Sequence, residues 1–253
     1  MKIDQIGTRS AFFLYSAFFA LLFLRFPLTE TLPGNTDTVG VIAVFNYYWN
    51  AASAFVRGVP APGPLHPLDG ISWTGETGFA FLYFLFKPLG LPDRWTYFLF
   101  LTSIVTLNSL GLRRLLGAMS FRPRTALLFA PLFSCTNYFW GNIDDPQIVF
   151  FAVVFLALAH LLEFLESGRV ASLVKSAVFL VAQAYVSSYV FVLGVVVCAV
   201  FLLGHRAKAR RVLAANAKAA AASLAAGVLA LTPFLLLAQK IEQQGAVARL
   251  LAL

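Results

Sequence analysis

The sequence predicts an all-α polytopic membrane protein, and three observations carry that prediction. Of 253 residues 60% are hydrophobic and 12% charged, where a soluble domain usually carries about 25% charge. Apolar runs approaching the ~20 residues needed to cross a bilayer recur along the chain, with none of the period-2 alternation of a barrel strand. Lys and Arg gather at the ends of those runs, where they set orientation. Helices follow because backbone polar groups in hydrocarbon need internal partners.

Seven segments read as spans, at about 11–28, 95–117, 125–140, 147–165, 171–186, 188–204 and 213–238, within a single transmembrane domain 1–253. Lys2 and Arg9 ahead of an apolar run resemble a signal peptide. A clear small-x-small cleavage site is missing and Arg25 falls late in the run, so an uncleaved first helix is expected. The fifth and sixth spans are short and separated only by Ser187-Ser188, which suggests a tight helical hairpin or a locally thinned bilayer.

Run 78–90 is ambiguous, having only about a dozen apolar residues, the length of a re-entrant or interfacial segment. Charge decides. If it does not cross, the amino terminus lies inside. Lys2, Arg9, Arg113, Arg114, Arg122, Arg124, Arg169, Lys175, Arg206, Lys208, Arg210, Arg211 and Lys218, thirteen of the 19 Lys and Arg, then all lie at cytoplasmic ends. If it crosses, the cluster 113–124 moves outside. Seven spans are therefore expected, with 29–94 as one long external loop. Within that loop, Ile42, Phe45, Tyr48, Trp49, Ala52 and Phe55 at helical spacing predict an interfacial helix over about 38–56. Run 78–90 is expected to lie beside it.

The net charge of +8 implies no nucleic-acid partner, since the cations sit at helix ends. Cys135 and Cys198 lie in apolar runs and read as free thiols. No nucleotide loop, metalloprotease motif or nucleophile elbow occurs. No carboxylate or basic residue is found at the centre of an expected span, where coupled transporters usually place one.

Candidate chemistry therefore rests on external carboxylates and cations. Asp37, in Pro-Gly-Asn-Thr-Asp-Thr, reads either as a helix cap or turn residue or as a general base at the membrane surface. Asp145 precedes Pro146 and so suits the N-cap of the fourth span, which leaves Asp144 the freer carboxylate. The pair could help to bind Mg²⁺ or Mn²⁺, which prefer oxygen ligands. Arg57 and Arg94 could grip a phosphate, whereas Lys87 reads as an interfacial anchor. His66, in a Pro-rich loop, and Glu76 are minor candidates for substrate binding, and Asp69 is explained by its Asp-Gly turn.

A first span, a long external loop opening with Asn35-Thr-Asp37, and a second acidic spot at Asn142-Ile-Asp-Asp-Pro146 resemble the GT-C superfamily of polytopic membrane glycosyltransferases. The stretches 45–64 and Gln183-Ala-Tyr-Val-Ser-Ser-Tyr189 are similar to bacterial proteins of this kind. The resemblance implies a seven-span amino-terminal module of a longer type of protein, in a bacterial inner membrane. It implies sugar transfer from a polyprenyl-phosphate donor to a lipid or cell-envelope acceptor on the external face. Asp37 would engage the acceptor and take its proton, Asp144 or Asp145 would support acceptor or metal, and Arg57 or Arg94 would hold the carrier phosphate. A non-catalytic carrier of lipid-linked material or an assembly scaffold is the alternative.

Overall fold

In a computed structural model, residues 6–29, 36–59, 77–142 and 146–251 are described, and they contain helices and no strand. Helix α1 (Thr8–Phe23) continues through a break at Leu24 into α2 (Arg25–Leu28). After α3 (Thr36–Arg57) and the short α4 (Thr77–Phe84), a 3-10 turn at Lys87–Leu89 leads into α5 (Asp93–Ala118). Gly90, at φ +66°, supplies the left-handed residue that ends the turn. Next come α6 (Pro123–Phe129), a 3-10 stretch at Ala130–Cys135, α7 (Asn137–Gly141) and a 3-10 turn at Pro146–Val149. The remaining helices are α8 (Ala152–Ser167), α9 (Val170–Val186), α10 (Ser188–Gly204), α11 (Arg206–Ala215) and α12 (Ala217–Leu251).

Large apolar side chains are exposed on the outer faces of the helices, a distribution compatible with a lipid environment. Helix α1 buries Ala11, Tyr15, Phe19 and Phe23, one stripe at four-residue spacing. Its other faces expose Phe13 at 69% and Leu21 at 76%. Thr8–Leu28 and Asp93–Ala118 are long and apolar enough to cross a membrane, and a third span is added if α10 and α11, bent by 98° at their junction, are taken together. Val170–Val186 and Ala217–Pro233 are shorter apolar helices.

Helix α5 is the axis of the bundle. It buries small polar residues, Thr96, Thr102, Thr106, Asn108 and Ser109, which let neighbouring backbones come close. Ser103 and Ser109 donate back to the carbonyls of Leu99 and Val105, so their hydroxyls stay satisfied without water. Antiparallel to it lies α1, with the Ser16 and Thr106 hydroxyls 3.4 Å apart and Arg113 reaching the Ile6 carbonyl. On another face, a Cβ added to Gly111 would stand 2.7 Å from the Ala152 carbonyl oxygen of α8.

The expected third span, 125–140, is not one helix. Pro131 has no amide hydrogen to continue α6, and the chain tightens into the 3-10 stretch before restarting as α7. Such a break is tolerated at membrane depth when protein covers it, and here it packs on α5 with Ala130 and Ser134 fully buried.

The expected fourth span also starts differently. Pro146 opens a 3-10 turn and α8 begins only at Ala152, so Asp145 is not its N-cap. Asn108 of α5 takes that part from across the interface. Its Oδ1 accepts from the amides of Phe151 (2.8 Å) and Ala152 (2.9 Å), and its Nδ2 donates to the Val149 carbonyl at 2.7 Å. The fifth-to-sixth hairpin is as tight as expected. Ser187 alone joins α9 to α10, extended at φ −159°, and its hydroxyl accepts from the Val190 amide. Beyond α10 the expected seventh span is divided, α11 ending at Ala215 and α12 starting at Ala217.

Candidate functional site at the α3 end of the bundle

The first turn of α5 gathers the best-formed polar cluster among the described residues. Asp93 follows Pro92, whose extended ψ of 149° starts the helix, and a carboxylate there is favoured by the helix dipole. Asp93 Oδ1 accepts from Lys87 Nζ at 2.6 Å and from the Tyr83 hydroxyl at 3.4 Å, and Oδ2 accepts from Asn46 Nδ2 at 3.0 Å. Lys87 is therefore not a snorkelling anchor. Its side chain is only 17% exposed, and its ammonium lies 5.6 Å from the centre of the Tyr83 ring. Burial, with the Asp93 carboxylate adding to it, pushes the Tyr83 phenol well above its ordinary pKa, so it stays a neutral donor.

Aromatic packing surrounds this cluster. Phe45 of α3 lies 5.2 Å from Tyr83 of α4 and 5.5 Å from Phe100 of α5, measured between ring centres, and Trp49 lies 5.5 Å from Phe84. The helix expected over 38–56 is observed as α3, held down by Ile42, Val44, Phe45 and Ala54, whereas Ala52 is exposed. Its companion α4 has eight residues, too few to cross a bilayer.

Asp37 is the second residue of α3, inside the helix rather than its cap. Its side chain lies outside the described set. At about 1.5 Å rise per residue, it stands about 14 Å along the axis from Asn46 and about 30 Å from Arg57. That length separates Arg57 from any site built around Asp37. Arg57 instead closes its own helix, its Nε donating to the Ser53 carbonyl at 3.1 Å. Arg94 is half-buried in the first turn of α5, next to Asp93.

His66, Asp69, Glu76, Asp144 and Asp145 lie outside the described residues. The flanks of 143–145 are described. The Tyr138 hydroxyl donates to the Ile148 carbonyl at 3.1 Å and so ties one flank to the other. Phe139 and Trp140 of α7 pack on Phe23, with ring centres 6.5 and 5.6 Å apart. Phe23 ends α1, and α2 beyond it packs against α5. The flanks therefore belong to the same end of the bundle as the Asp93 cluster. Among the described residues no three His, Cys, Asp or Glu side chains converge as metal ligands, and the carboxylates considered for Mg²⁺ or Mn²⁺ fall outside the described side chains.

Three polar features had not been singled out in the sequence. The Asp93 cluster is one. A second is an ionic triad between α5 and α8, in which Glu163 accepts from Arg114 and pairs with His160 at 2.9 Å. His160 is the ninth of the sixteen residues of α8, only 13% exposed, and stacks on Phe179 of α9. An ionisable side chain therefore does sit midway along an apolar helix. The third is Gln183, fully buried near the α9–α10 hairpin, with neither amide atom hydrogen-bonded among the described residues. A groove of about 510 Å³ between α9 and α12, lined by Val174, Val178, Val181, Ala222, Ala226 and Gly227, holds no titratable group and offers room for an apolar chain rather than for chemistry.

No family model matches this chain, and no curated protein or solved structure is found to be similar to it.

Proposed function

We propose that the chain is a membrane glycosyltransferase module of the GT-C type, with seven membrane-crossing segments and its amino terminus on the cytoplasmic side of a bacterial inner membrane. The reaction is transfer of a sugar from a polyprenyl-phosphate donor to a lipid or cell-envelope acceptor at the α3 end of the bundle. The observation that supports this reading is the seat of α3 against α4 and the start of α5. A helix carrying a carboxylate in its first turn is clamped to the start of α5 by Asn46–Asp93 and by the Phe45–Tyr83–Phe100 cluster. A surface-lying helix held this firmly keeps Asp37 at a set place relative to the membrane, which a general base requires. Asp37 is assigned as base and Asp144 as its supporting carboxylate. Arg94 is assigned as the phosphate-binding cation in preference to Arg57, which stands about 30 Å along α3 from Asp37.

The test is transfer of labelled sugar from polyprenyl-phosphate donors in membranes carrying the full chain. Asp37→Asn is expected to lower the rate by about a hundredfold or more, the scale of losing a general base, at unchanged insertion. Arg57→Gln is expected to retain the rate. Equal rates for Asp37→Asn and the parent chain would remove the assignment. Reporters at 60 and 143 are expected outside, and one at 208 inside.

The Arg114–Glu163–His160 triad favours a second reading. Ionisable groups among apolar helices mark transport pathways in many membrane proteins, so a non-catalytic carrier of lipid-linked material accounts for it more directly. His160→Phe separates the two, abolishing translocation in a carrier and leaving sugar transfer intact in the enzyme.

A further inference from the structure

The end of the bundle opposite α3 carries a second polar surface, built by α11. This helix contains Arg206, Lys208, Arg210 and Arg211 within six positions and no acidic residue. All four are exposed, and among the described residues none makes an ion pair. One face is firmly seated: Ala209 is buried, and Val212 and Leu213 pack with it against Phe164 and Leu165 of α8, Leu173 of α9 and Leu202 of α10. At about 100° per residue, Lys208 and Arg210 flank that seat on either side and Arg211 points away from it. The chain adds cations at the far end. Gly168 lies beside Asn216, with the Asn216 amide 3.9 Å from where a Cβ on Gly168 would be. Arg169 follows Gly168 and Lys218 lies two positions beyond Asn216, and both are exposed, as is the carboxylate of Glu166.

Depth and direction identify what meets these charges. Helix α10 presents Val192, Val196, Val200 and Leu203 to lipid, Leu203 being 71% exposed. The chain then turns through 98° at His205, so α11 runs across the axis of a lipid-facing helix from the point where its apolar surface stops. A helix in that position lies in the plane of the headgroups, with cations at phosphate level and an apolar face turned to the bundle. We infer that α11, with Arg169 and Lys218, is a binding surface for anionic phospholipid headgroups, which holds the α8–α11 end of the bundle against a negatively charged leaflet. This surface is independent of the sugar-transfer reading.

The experiment uses the full chain reconstituted in vesicles of phosphatidylcholine with 25 mol% phosphatidylglycerol, and reads the preference of the protein-restricted lipid shell for spin-labelled phosphatidylglycerol over phosphatidylcholine. Averaged over a shell that mostly touches apolar helices, a preference of about threefold or more is expected. It should approach one in about 0.5 M salt, where screening shortens the reach of these charges to a few ångströms. Arg206→Gln/Lys208→Gln/Arg210→Gln/Arg211→Gln should abolish the preference, and Arg206→Lys/Arg210→Lys/Arg211→Lys should keep it. If the Gln variant fails to insert, the salt response of the native chain and the Lys variant decide. A native preference near one, one unaffected by salt, or one retained by a folded Gln variant overturns the proposal, and the first result would leave an acidic protein partner as the reading of this surface.

Discussion

Replacing Asn108 with Leu tests the central joint of the bundle. The Asn108 side chain is completely buried and serves three backbone groups that have crossed from another element: the Val149 carbonyl and the amides of Phe151 and Ala152. Leucine keeps the branched shape and heavy-atom count of asparagine with somewhat bulkier methyl groups, so the change is chiefly the loss of the polar partners. Leaving a buried backbone group without a partner costs about 1–3 kcal/mol, and losing a helix cap costs about 1 kcal/mol. Side-chain hydrogen bonds within membranes average only about 0.6 kcal/mol, because unfolded segments also find partners. Weighing these, a loss of about 3 kcal/mol is expected. At about 2–4 °C per kcal/mol for a chain of this size, the midpoint falls by about 6–12 °C. Cys198, buried in α10, gives the assay. In a Cys135→Ser background it is the single thiol, and a thiol-reactive fluorophore reports its exposure on heating. Ser109→Ala, which removes a bond only within α5, is the control and should shift the midpoint much less. A midpoint for Asn108→Leu within about 2 °C of the parent would refute the cross-helix cap.

Three further outcomes follow from the geometry. Gly111→Ala places a methyl group 2.7 Å from the Ala152 carbonyl oxygen, a backbone atom that cannot step aside, and should cost about 1–3 kcal/mol. Gly194→Ala meets the Val154 methyl at 3.0 Å, which can rotate, and should cost less in the same assay. For Lys87–Asp93, a double-mutant cycle with Lys87→Met and Asp93→Asn should give a coupling of about 0.5–1 kcal/mol, because the carboxylate is 47% exposed and partly screened. A coupling above about 2 kcal/mol would show that the pair is shielded from water.

How much of this was legible in the sequence depended on the range of each interaction. Composition and run length gave the all-helical membrane class, and the aromatic spacing of 38–56 gave α3. Ser187-Ser188 marked the hairpin correctly, because a single extended residue with a capping hydroxyl is local chemistry. The break in 125–140 was also locally visible at Pro131, but average hydropathy outweighed it. Asn108 was out of reach: nothing near it on α5 says that its partners lie more than forty residues on. The same holds for Asp93, whose partners Asn46, Tyr83 and Lys87 come from two other elements and a turn. For Arg57 the sequence offered a suitable cation, and only the length of α3 shows that it stands about 30 Å along the helix from Asp37.

The two long spans differ in what they bring to membrane entry. Thr8–Leu28 has mean hydropathy 1.8 and is 28% buried, whereas Asp93–Ala118 has 1.3 and is 67% buried. A translocon weighs each segment against lipid before tertiary partners exist, and the hydroxyls and amide of α5 count against it there. If α1 inserts first, it offers Ser16 to Thr106 and a backbone carbonyl to Arg113, contacts that offset part of that cost. The polar lining that makes α5 the axis of the finished bundle also makes it a dependent passenger during synthesis, so a substitution of Ser16 in α1 is expected to reach the yield of inserted protein before it reaches its stability.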